Sequence, residues 1–342
     1  MHTVTVQGQS GPSQIMVGER LANLSTYLPD QRLIIITDEN VGGLYGSRFP
    51  DCDVITIGLG EKHKTLETLS AIYGQLIAME ADRSAFIVGV GGGIVGDITG
   101  FAASTYMRGL PFGFVATTLL AQVDATVGGK NGVNYQGYKN MVGLFAQPQF
   151  VIADISALTT LPAAEIACGL AEIVKHGCIA DEAYLTYIEA HRREISALDP
   201  GVMTHLVHES VKIKAAVVNQ DEKETGERRK LNFGHTFGHA LEKSLGLSHG
   251  AAVSIGTVMA CRYSLHRGYL DADSVERIQS LLVSLDLPVH AEFDPLVLLE
   301  ALKKDKKRQA EEMHFVFLTD LGQTVVASVS ISDLGQWLRD SF

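Results

Sequence analysis

Basic residues are in short supply: 28 Lys and Arg stand against 39 Asp and Glu in 342 residues, a formal charge of −11. Long-range electrostatics of that sign repel nucleic acid and anionic membrane surfaces, so an anionic ligand must be gripped by a local basic cluster. Cysteine is also sparse. Cys52, Cys168, Cys178 and Cys261 are scattered without C-x-x-C spacing, and the opening MHTVTVQGQSGPSQ lacks a basic n-region and an apolar h-region, which points to a reducing, cytoplasmic setting. No uninterrupted apolar run approaches the about 18 residues that a membrane helix needs. Internal repeats and low-complexity segments are missing as well. What remains is a soluble globular composition, 46% hydrophobic and 20% charged, long enough for two domains with sizeable cores.

The order of elements narrows the class. Residues 1 to about 30 read as a short strand from Thr3 to Val6, a turn at Gly11-Pro12, and a helix or second strand ending before Pro29. Strand-like runs at 32–37, 53–58, 85–90 and 113–117 follow, separated by segments such as 64–80, where Leu66, Leu69, Ile72, Tyr73, Leu76 and Ile77 recur at helical spacing. Alternation of this kind predicts a parallel sheet covered by helices. After the apolar run Phe150 to Ala153 nearly every periodic segment to about 310 reads as helix, punctuated by Pro162, Pro200 and Pro288. The expected architecture is therefore an α/β Rossmann-like domain over 1–154 and a mainly α-helical domain over 155–342. Phe315 to Thr319 and Thr324 to Val329, around Gly322, read as a β-hairpin.

The chain is organised around Gly89 to Asp97, GVGGGIVGD, where an apolar stretch empties into glycines and then into a helix. Gly91, Gly93 and Gly96 satisfy G-x-G-x-x-G, the pattern that lets backbone N–H groups approach a pyrophosphate at a helix N-terminus; an ordinary glycine-rich turn is the bland alternative. The acidic residue expected about 20 positions on to hold a ribose is missing, since no Asp or Glu lies between Asp97 and Asp124. A substitute lies upstream in Thr37-Asp38-Glu39-Asn40, just past a predicted strand.

Candidate chemistry clusters elsewhere too. Gly58 to Lys64, GLGEKHK, sets Glu61 and Lys64 at a helix start beside the proposed crevice. Arg108, Lys130, Lys139 and Asn140 stand among glycines, Asn131 and Asn134 in a stretch read as a long polar loop. Lys130 and Lys139 suggest an oxyanion clamp, and Asp124 an acceptor for substrate hydroxyls. Glu172 is followed at i+3 and i+4 by Lys175 and His176 on one helix face. His235 and His239 share a face, and His249 follows between Ser248 and Gly250. A catalytic zinc site takes three protein ligands and keeps an open position; Glu172 with two of the three histidines would supply that, and periodicity leaves open which two. Two charge runs, 221–230 and 303–308, read as solvated faces, with Arg228 set apart by its nearness to His235 and the second run by its capacity for anion binding.

GGGIVGD, RGLPFGFVATTLLAQVDATVGGKNGVN, YKNMVG, GLAEIVKHG, LNFGHTFGHALE and the late DKK occur in the order found in the 3-dehydroquinate synthases, and from about 33 to 320 the chain resembles that family. The resemblance implies bound NAD, a divalent metal, usually zinc with cobalt as the other candidate, and a homodimer. It implies Glu172, His235 and His249 as metal ligands, leaving His239 to face substrate or handle protons. It implies Asp38 and Asn40 at the adenosine ribose with Glu61 and Lys64 nearby, Gly92, Gly93 and Asp97 at the pyrophosphate and nicotinamide side, and Thr117, Thr118, Lys139, Thr160, Leu161 and Glu165 also lining the cofactor. For substrate it implies Asp124 and Lys175 on hydroxyls, and Lys130, Asn140 and Lys306 (or Lys307) on phosphate. Lys214, Arg228 and Asn232 would lie towards the carboxylate, and Arg108 would reach the phosphate from the neighbouring subunit.

Two positions depart from the family pattern. Ala251 replaces the glutamate of HGEAV, and Asn131 replaces the threonine of GGKTG; the first removes a potential partner of His249, and both bear on substrate choice. The implied reaction converts 3-deoxy-D-arabino-heptulosonate 7-phosphate to 3-dehydroquinate and phosphate, with NAD reduced and then regenerated. A different sugar-phosphate cyclase, or a metal-dependent NAD alcohol dehydrogenase, would use the same layout; the dense lysine, arginine and asparagine set argues against the dehydrogenase, whose small neutral alcohol needs no phosphate grip.

Overall fold

The structure, a computed structural model, describes residues 1–303, 308–309 and 312–342. In chain order the strands are β1 (His2–Gly8), β2 (Gly11–Val17), β3 (Leu33–Asp38), β4 (Asp53–Ile57), β5 (Phe86–Gly91), β6 (Phe112–Ala116), β7 (Lys130–Tyr135), β8 (Tyr138–Phe145), β9 (Phe150–Ala153), β10 (Arg308–Gln309), β11 (Glu312–Asp320) and β12 (Gln323–Ser330). The helices are α1 (Glu39–Tyr45), α2 (Leu66–Ala78), α3 (Gly93–Thr105), α4 (Ala163–Ala180), α5 (Glu182–Ala190), α6 (Arg192–Ser196), α7 (Pro200–Gln220), α8 (His235–Leu245), α9 (His249–His266), α10 (Ala272–Ser284), α11 (Pro295–Lys303) and α12 (Ile331–Ser341).

Two compact units result. The first comprises Met1–Leu161 with Met203–Lys223, the second Pro162–Val202 with Glu224–Phe342. The division thus falls after Leu161, whereas the change in sequence pattern lies near 154, and most of α7 counts with the first unit. Side-chain contacts account for that: Asn219 accepts from the Gln7 N–H at 2.8 Å and Glu222 from the Gln9 N–H at 2.9 Å, tying this segment to β1 and its turn.

In the first unit a seven-stranded sheet runs β1-β2-β9-β6-β5-β3-β4, parallel throughout except for the β1–β2 hairpin. The stretch read as a helix or second strand ending before Pro29 holds both, β2 followed by a 3-10 helix, Leu21–Tyr27. All six residues of β5 and all five of β6 are buried, as a parallel sheet with covered faces requires. One expectation fails. The stretch read as a polar loop carries an antiparallel two-stranded sheet, β7 with β8, so Lys130 and Lys139 stand on strands rather than on open loop.

The second unit is mostly helical. Its α9 is buried around nearly its whole circumference, packing against α4, α8, α10 and β11. A cluster of Phe237, Tyr263, Phe315, Phe317 and Trp337 joins α8, α9, the β11–β12 hairpin and α12, with neighbouring ring centroids 4.8–6.5 Å apart. No helix among the described residues is long and apolar enough to cross a membrane.

All four cysteines are free; Cys168, Cys178 and Cys261 are buried and Cys52 is partly so. Burial pushes the Cys178 thiol up to about 12, and burial with Asp53 and Asp51 nearby pushes Cys52 up to about 11. Because the thiolate is the reactive form, a thiol reagent at pH 8 should label the native protein roughly a hundredfold more slowly than free cysteine. Cys52 should react first and faster as pH rises, and all four should react in denaturant. Mass-spectrometric mapping that found a buried cysteine labelled as fast as Cys52 would contradict this packing.

Candidate functional site

In the second unit three side chains converge. Glu172 and Lys175 project from the middle of α4 and are almost fully buried, paired with each other as an ion pair. His235 opens α8, whose preceding residue Gly234 takes a left-handed φ of 76°, and His249 opens α9, capped by the Ser248 hydroxyl accepting from Ala251 N–H. Glu172 Oε1 lies 3.2 Å from His235 Nε2 and 3.1 Å from His249 Nε2. A tetrahedral zinc with donors at about 2.0–2.1 Å has donor–donor edges of about 3.3 Å, so this spacing fits one divalent ion. His235 Nδ1 stands 3.2 Å from the Phe233 carbonyl; with the Nδ1–H donating there, the Nε2 lone pair would be left for a metal ion.

Glycines bring the three helices close enough. A methyl group on Gly250 would lie 2.4 Å from the Cys168 Cα of α4, and one on Gly256 would lie 2.2 Å from the Gly234 carbonyl and 2.6 Å from the Gly238 nitrogen. Burial alone would raise the Glu172 pKa, but Lys175 and the two histidines outweigh it and hold the carboxyl well below its ordinary range. Burial lowers His235, despite Glu172. His249 moves the other way, raised by Glu172 and Glu242, whose Oε2 is 4.0 Å from His249 Nδ1, against the effect of burial. His239, one turn on from His235, sets its ring edge-on at 5.2 Å from it and is no member of the convergent set. Arg228 is buried in the short helix Glu227–Asn232, and the Asn232 amide donates to Glu224. Glu165 lies in the first turn of α4. Lys306 and Lys307 lie outside the described residues.

The first unit offers a topological switch point. Strand order places β4 on one side of β3 and β5 on the other, so the chain reverses direction between the C-terminal ends of β3 and β5, where open α/β sheets take ligands. Asp38 ends β3, accepting from Val41 N–H at 2.8 Å, and Asn40 lies in the first turn of α1. This topology explains why the carboxylate lies upstream of the glycines: the strand neighbouring β5 precedes it in sequence. At the end of β5, methyl groups on Gly91, Gly92 and Gly93 would lie 2.6–2.9 Å from Val95, Thr118 and Ala125. These glycines keep the entrance to α3 open to close backbone approach. Thr117 Oγ1 is buried with no hydrogen-bond partner among the described residues, a free hydroxyl at the same rim, while Thr118 Oγ1 accepts from Ala121 N–H. Thr160 bonds the Tyr45 hydroxyl at 2.6 Å, next to Leu161.

Lys64 is buried and ion-paired with Asp97 of α3, and it donates to Asn140 Oδ1 at 2.6 Å. Glu61 accepts from the Asn134 amide at 2.8 Å. Asp124, in a single π-helical turn (Ala121–Ala125), accepts twice from Lys214 Nζ, through Oδ1 and its own carbonyl, each at 2.6 Å. Such turns recur at functional sites. Lys130 and Lys139 are exposed on β7 and β8. Arg108 is exposed after α3 with φ 70°, following Met107 at 49°.

A model of the 3-dehydroquinate synthase N-terminal domain matches residues 54–168, and one of the 3-dehydroquinate synthase C-terminal domain matches 169–308. The chain belongs to the 3-dehydroquinate synthase family. A 3-dehydroquinate synthase of Nitrosospira multiformis is 41% identical over 361 aligned positions, covering 99% of each chain. Among solved structures, this family member is similar to a 2-deoxy-scyllo-inosose synthase complexed with carbaglucose-6-phosphate, NAD+ and Co2+, with a TM-score of 0.88 and 25% identity over 100% of both chains. It is also similar to a 2-epi-5-epi-valiolone synthase from Streptomyces hygroscopicus with NAD+ and Zn2+ bound, with a TM-score of 0.87 and 27% identity over 100% of both.

Both departures from the family pattern have physical contexts. Asn131 is buried, and its amide donates to the Gly129 and Ala146 carbonyls at 2.9 Å each; it braces the base of the β7–β8 hairpin. Ala251 provides no carboxylate, and Glu242 stands on the Nδ1 side of His249 instead. Sequence reasoning did not single out Glu242 or Asn134. A carboxylate one turn beyond His239 on the same helical face was the available signal for the first.

Replacing Lys175 with Met leaves the Glu172 carboxylate buried without its cation, and should cost the metal-free protein about 3–5 kcal/mol. Added zinc should then recover more melting temperature in this variant than in the parent. Equal recovery in both would show that Lys175 does not balance Glu172. In Gly256→Ala the new methyl meets backbone atoms that cannot swing away, so a loss of roughly 1–3 kcal/mol is expected, together with faster loss of zinc to a chelator. Unchanged melting and metal retention would mean that α8 and α9 have slack.

Proposed function

We propose that this chain converts 3-deoxy-D-arabino-heptulosonate 7-phosphate to 3-dehydroquinate and inorganic phosphate, with NAD as a retained cofactor and a divalent metal, zinc or cobalt, held by Glu172, His235 and His249. The observation that carries this reading is the convergence of those three donors beside the buried Lys175 in a member of the 3-dehydroquinate synthase family. When bound, NAD and the metal supply transient oxidation of a secondary alcohol and Lewis-acid polarisation of its oxygen, which acidifies the adjacent C–H for phosphate elimination.

The chain's own residues position and neutralise charge. Lys175 and Asp124 take substrate hydroxyls, with Lys214 fixing Asp124 through two hydrogen bonds. Arg228, Asn232 and Lys214 lie towards the carboxylate, Lys130, Asn140 and Lys306 towards the phosphate, and His239, next to His235, faces substrate or relays protons. Preset cations of this kind stabilise developing oxyanions without reorganising. On the cofactor side, Asp38 and Asn40 take the ribose, and Gly92, Gly93, Asp97, Thr117 and Thr118 take the pyrophosphate and nicotinamide end. Glu61, Lys64, Lys139, Thr160, Leu161 and Glu165 complete that lining. In this reading the NAD-binding domain spans 1–154 and the metal- and substrate-binding domain 155–342.

A homodimer is part of the proposal, with Arg108 reaching the partner's phosphate site. Tyr135, Tyr138, Met141 and Phe145, each 41–47% exposed, support it by giving the β7–β8 hairpin exposed apolar surface for a second copy to cover. We place the enzyme in the cytoplasm, a location in keeping with four free cysteines.

Metal-loaded protein given the heptulosonate phosphate and catalytic NAD should release phosphate and 3-dehydroquinate in equal amounts with no net NADH. Chelation or His235→Ala should abolish both. Turnover only with another sugar phosphate would move the assignment to a different cyclase, and stoichiometric NADH from a simple alcohol would replace it with a dehydrogenase.

A further inference from the structure

The β7–β8 hairpin contains an irregularity with a specific chemical content. Pairing runs in register from Lys130 opposite Phe145 to Val133 opposite Val142, then shifts so that Tyr135 faces Tyr138. Asn134 on β7 therefore opposes a three-residue bulge, and the middle residue of that bulge, Asn140, takes a left-handed φ of 50°. Bulges re-aim side chains, and asparagine tolerates this backbone region better than most residues. The re-aimed Asn140 side chain meets Lys64 Nζ at 2.6 Å.

Asn134 makes three hydrogen bonds that hold this arrangement. Its Oδ1 accepts from the Asn140 N–H at 2.9 Å, its Nδ2 donates to Glu61 Oε1 at 2.8 Å, and its own N–H donates to the Lys64 carbonyl at 2.8 Å. We propose that Asn134 is a positioning residue that, alongside the direct Lys64–Asn140 bond, clamps Asn140 and the Glu61–Lys64 turn into one piece, so that its amide helps set both the phosphate-side residue and the cofactor-side pair Lys64–Asp97. The inference rests on the reading of Asn140 as a phosphate contact and Lys64 as a cofactor contact. Asn134 acts on both through hydrogen bonds to Glu61, the Lys64 carbonyl and the Asn140 N–H. Its consequence is coupling: occupancy of the phosphate position stiffens the turn that carries Lys64, and inorganic phosphate should tighten NAD binding in the parent.

The test uses full-length, metal-loaded protein and three variants, Asn134→Ala, Asn134→Asp and Asn140→Ala. Inhibition by inorganic phosphate, KM for the sugar phosphate, kcat, and the NAD dissociation constant with and without phosphate are measured for each. Asn134→Ala should weaken phosphate inhibition and raise KM by about three- to tenfold, the size of one lost hydrogen bond. It should change kcat less than KM and erase the phosphate effect on NAD. Asn134→Asp keeps the acceptor for Asn140 N–H but sets a carboxylate against Glu61; it should restore phosphate inhibition while leaving the coupling broken. If Asn134→Ala does not fold, the Asp variant carries the test through the coupling alone. Parent-like KM and coupling in the Asn134 variants, or a fall in kcat and melting temperature at constant KM, would overturn the positioning role. If Asn140→Ala itself leaves phosphate inhibition unchanged, it is the phosphate assignment of Asn140 that fails, a result separable from the first.

Discussion

A fully buried carboxylate is the constraint on which the metal-binding half depends. Glu172 has no exposed surface, and taking an ionised carboxylate out of water is offset only by a matched cation and well-placed donors. Lys175 supplies the cation from the same helix, and His235 and His249 approach from the starts of two others. Three helices therefore share one electrostatic requirement, and the glycines at 250 and 256 are what allow their backbones to come near enough to meet it. The carboxylate and two imidazoles that a divalent ion would need are thus held together by the protein's own charges.

In the other unit the equivalent constraint is topological. Reversal of strand order beside β3 leaves a gap at the carboxyl ends of β3 and β5, and the residues that face it are those with little or no side chain. Asp38 and Lys64 bring opposite charges to this rim, and each is already held by protein: Asp38 as a helix cap, Lys64 in an ion pair with Asp97. Side chains held in this way arrive at a ligand with little conformational freedom left to lose.

The parallel strands were legible because burial on both faces leaves unbroken apolar runs, as in Ile34-Ile35-Ile36 and Phe86-Ile87-Val88. The β7–β8 pair was not, because β8 is mostly exposed and its polar residues, Lys139 and Asn140, read as loop composition. Nor did helical periodicity in α7 reveal its allegiance: an apolar face shows that a helix packs, not against what, and the contacts of Asn219 and Glu222 with β1 and its turn are polar. At the metal centre the residue types were visible, while convergence of Glu172 with histidines far along the chain is a tertiary fact that spacing does not encode. The family resemblance chose among the histidines where periodicity left the choice open.

Asn131 also bears on how this protein can vary. A methyl group on Gly100 would sit 1.8 Å from the Asn131 amide oxygen, so the space beside α3 at this position is already taken by Asn131. A lineage that enlarges residue 100 must first shrink residue 131 and give up the two carbonyl contacts that its amide makes. Asn131 thus does two things at once, filling the space that a side chain on α3 would need and holding the base of the β7–β8 hairpin through its amide.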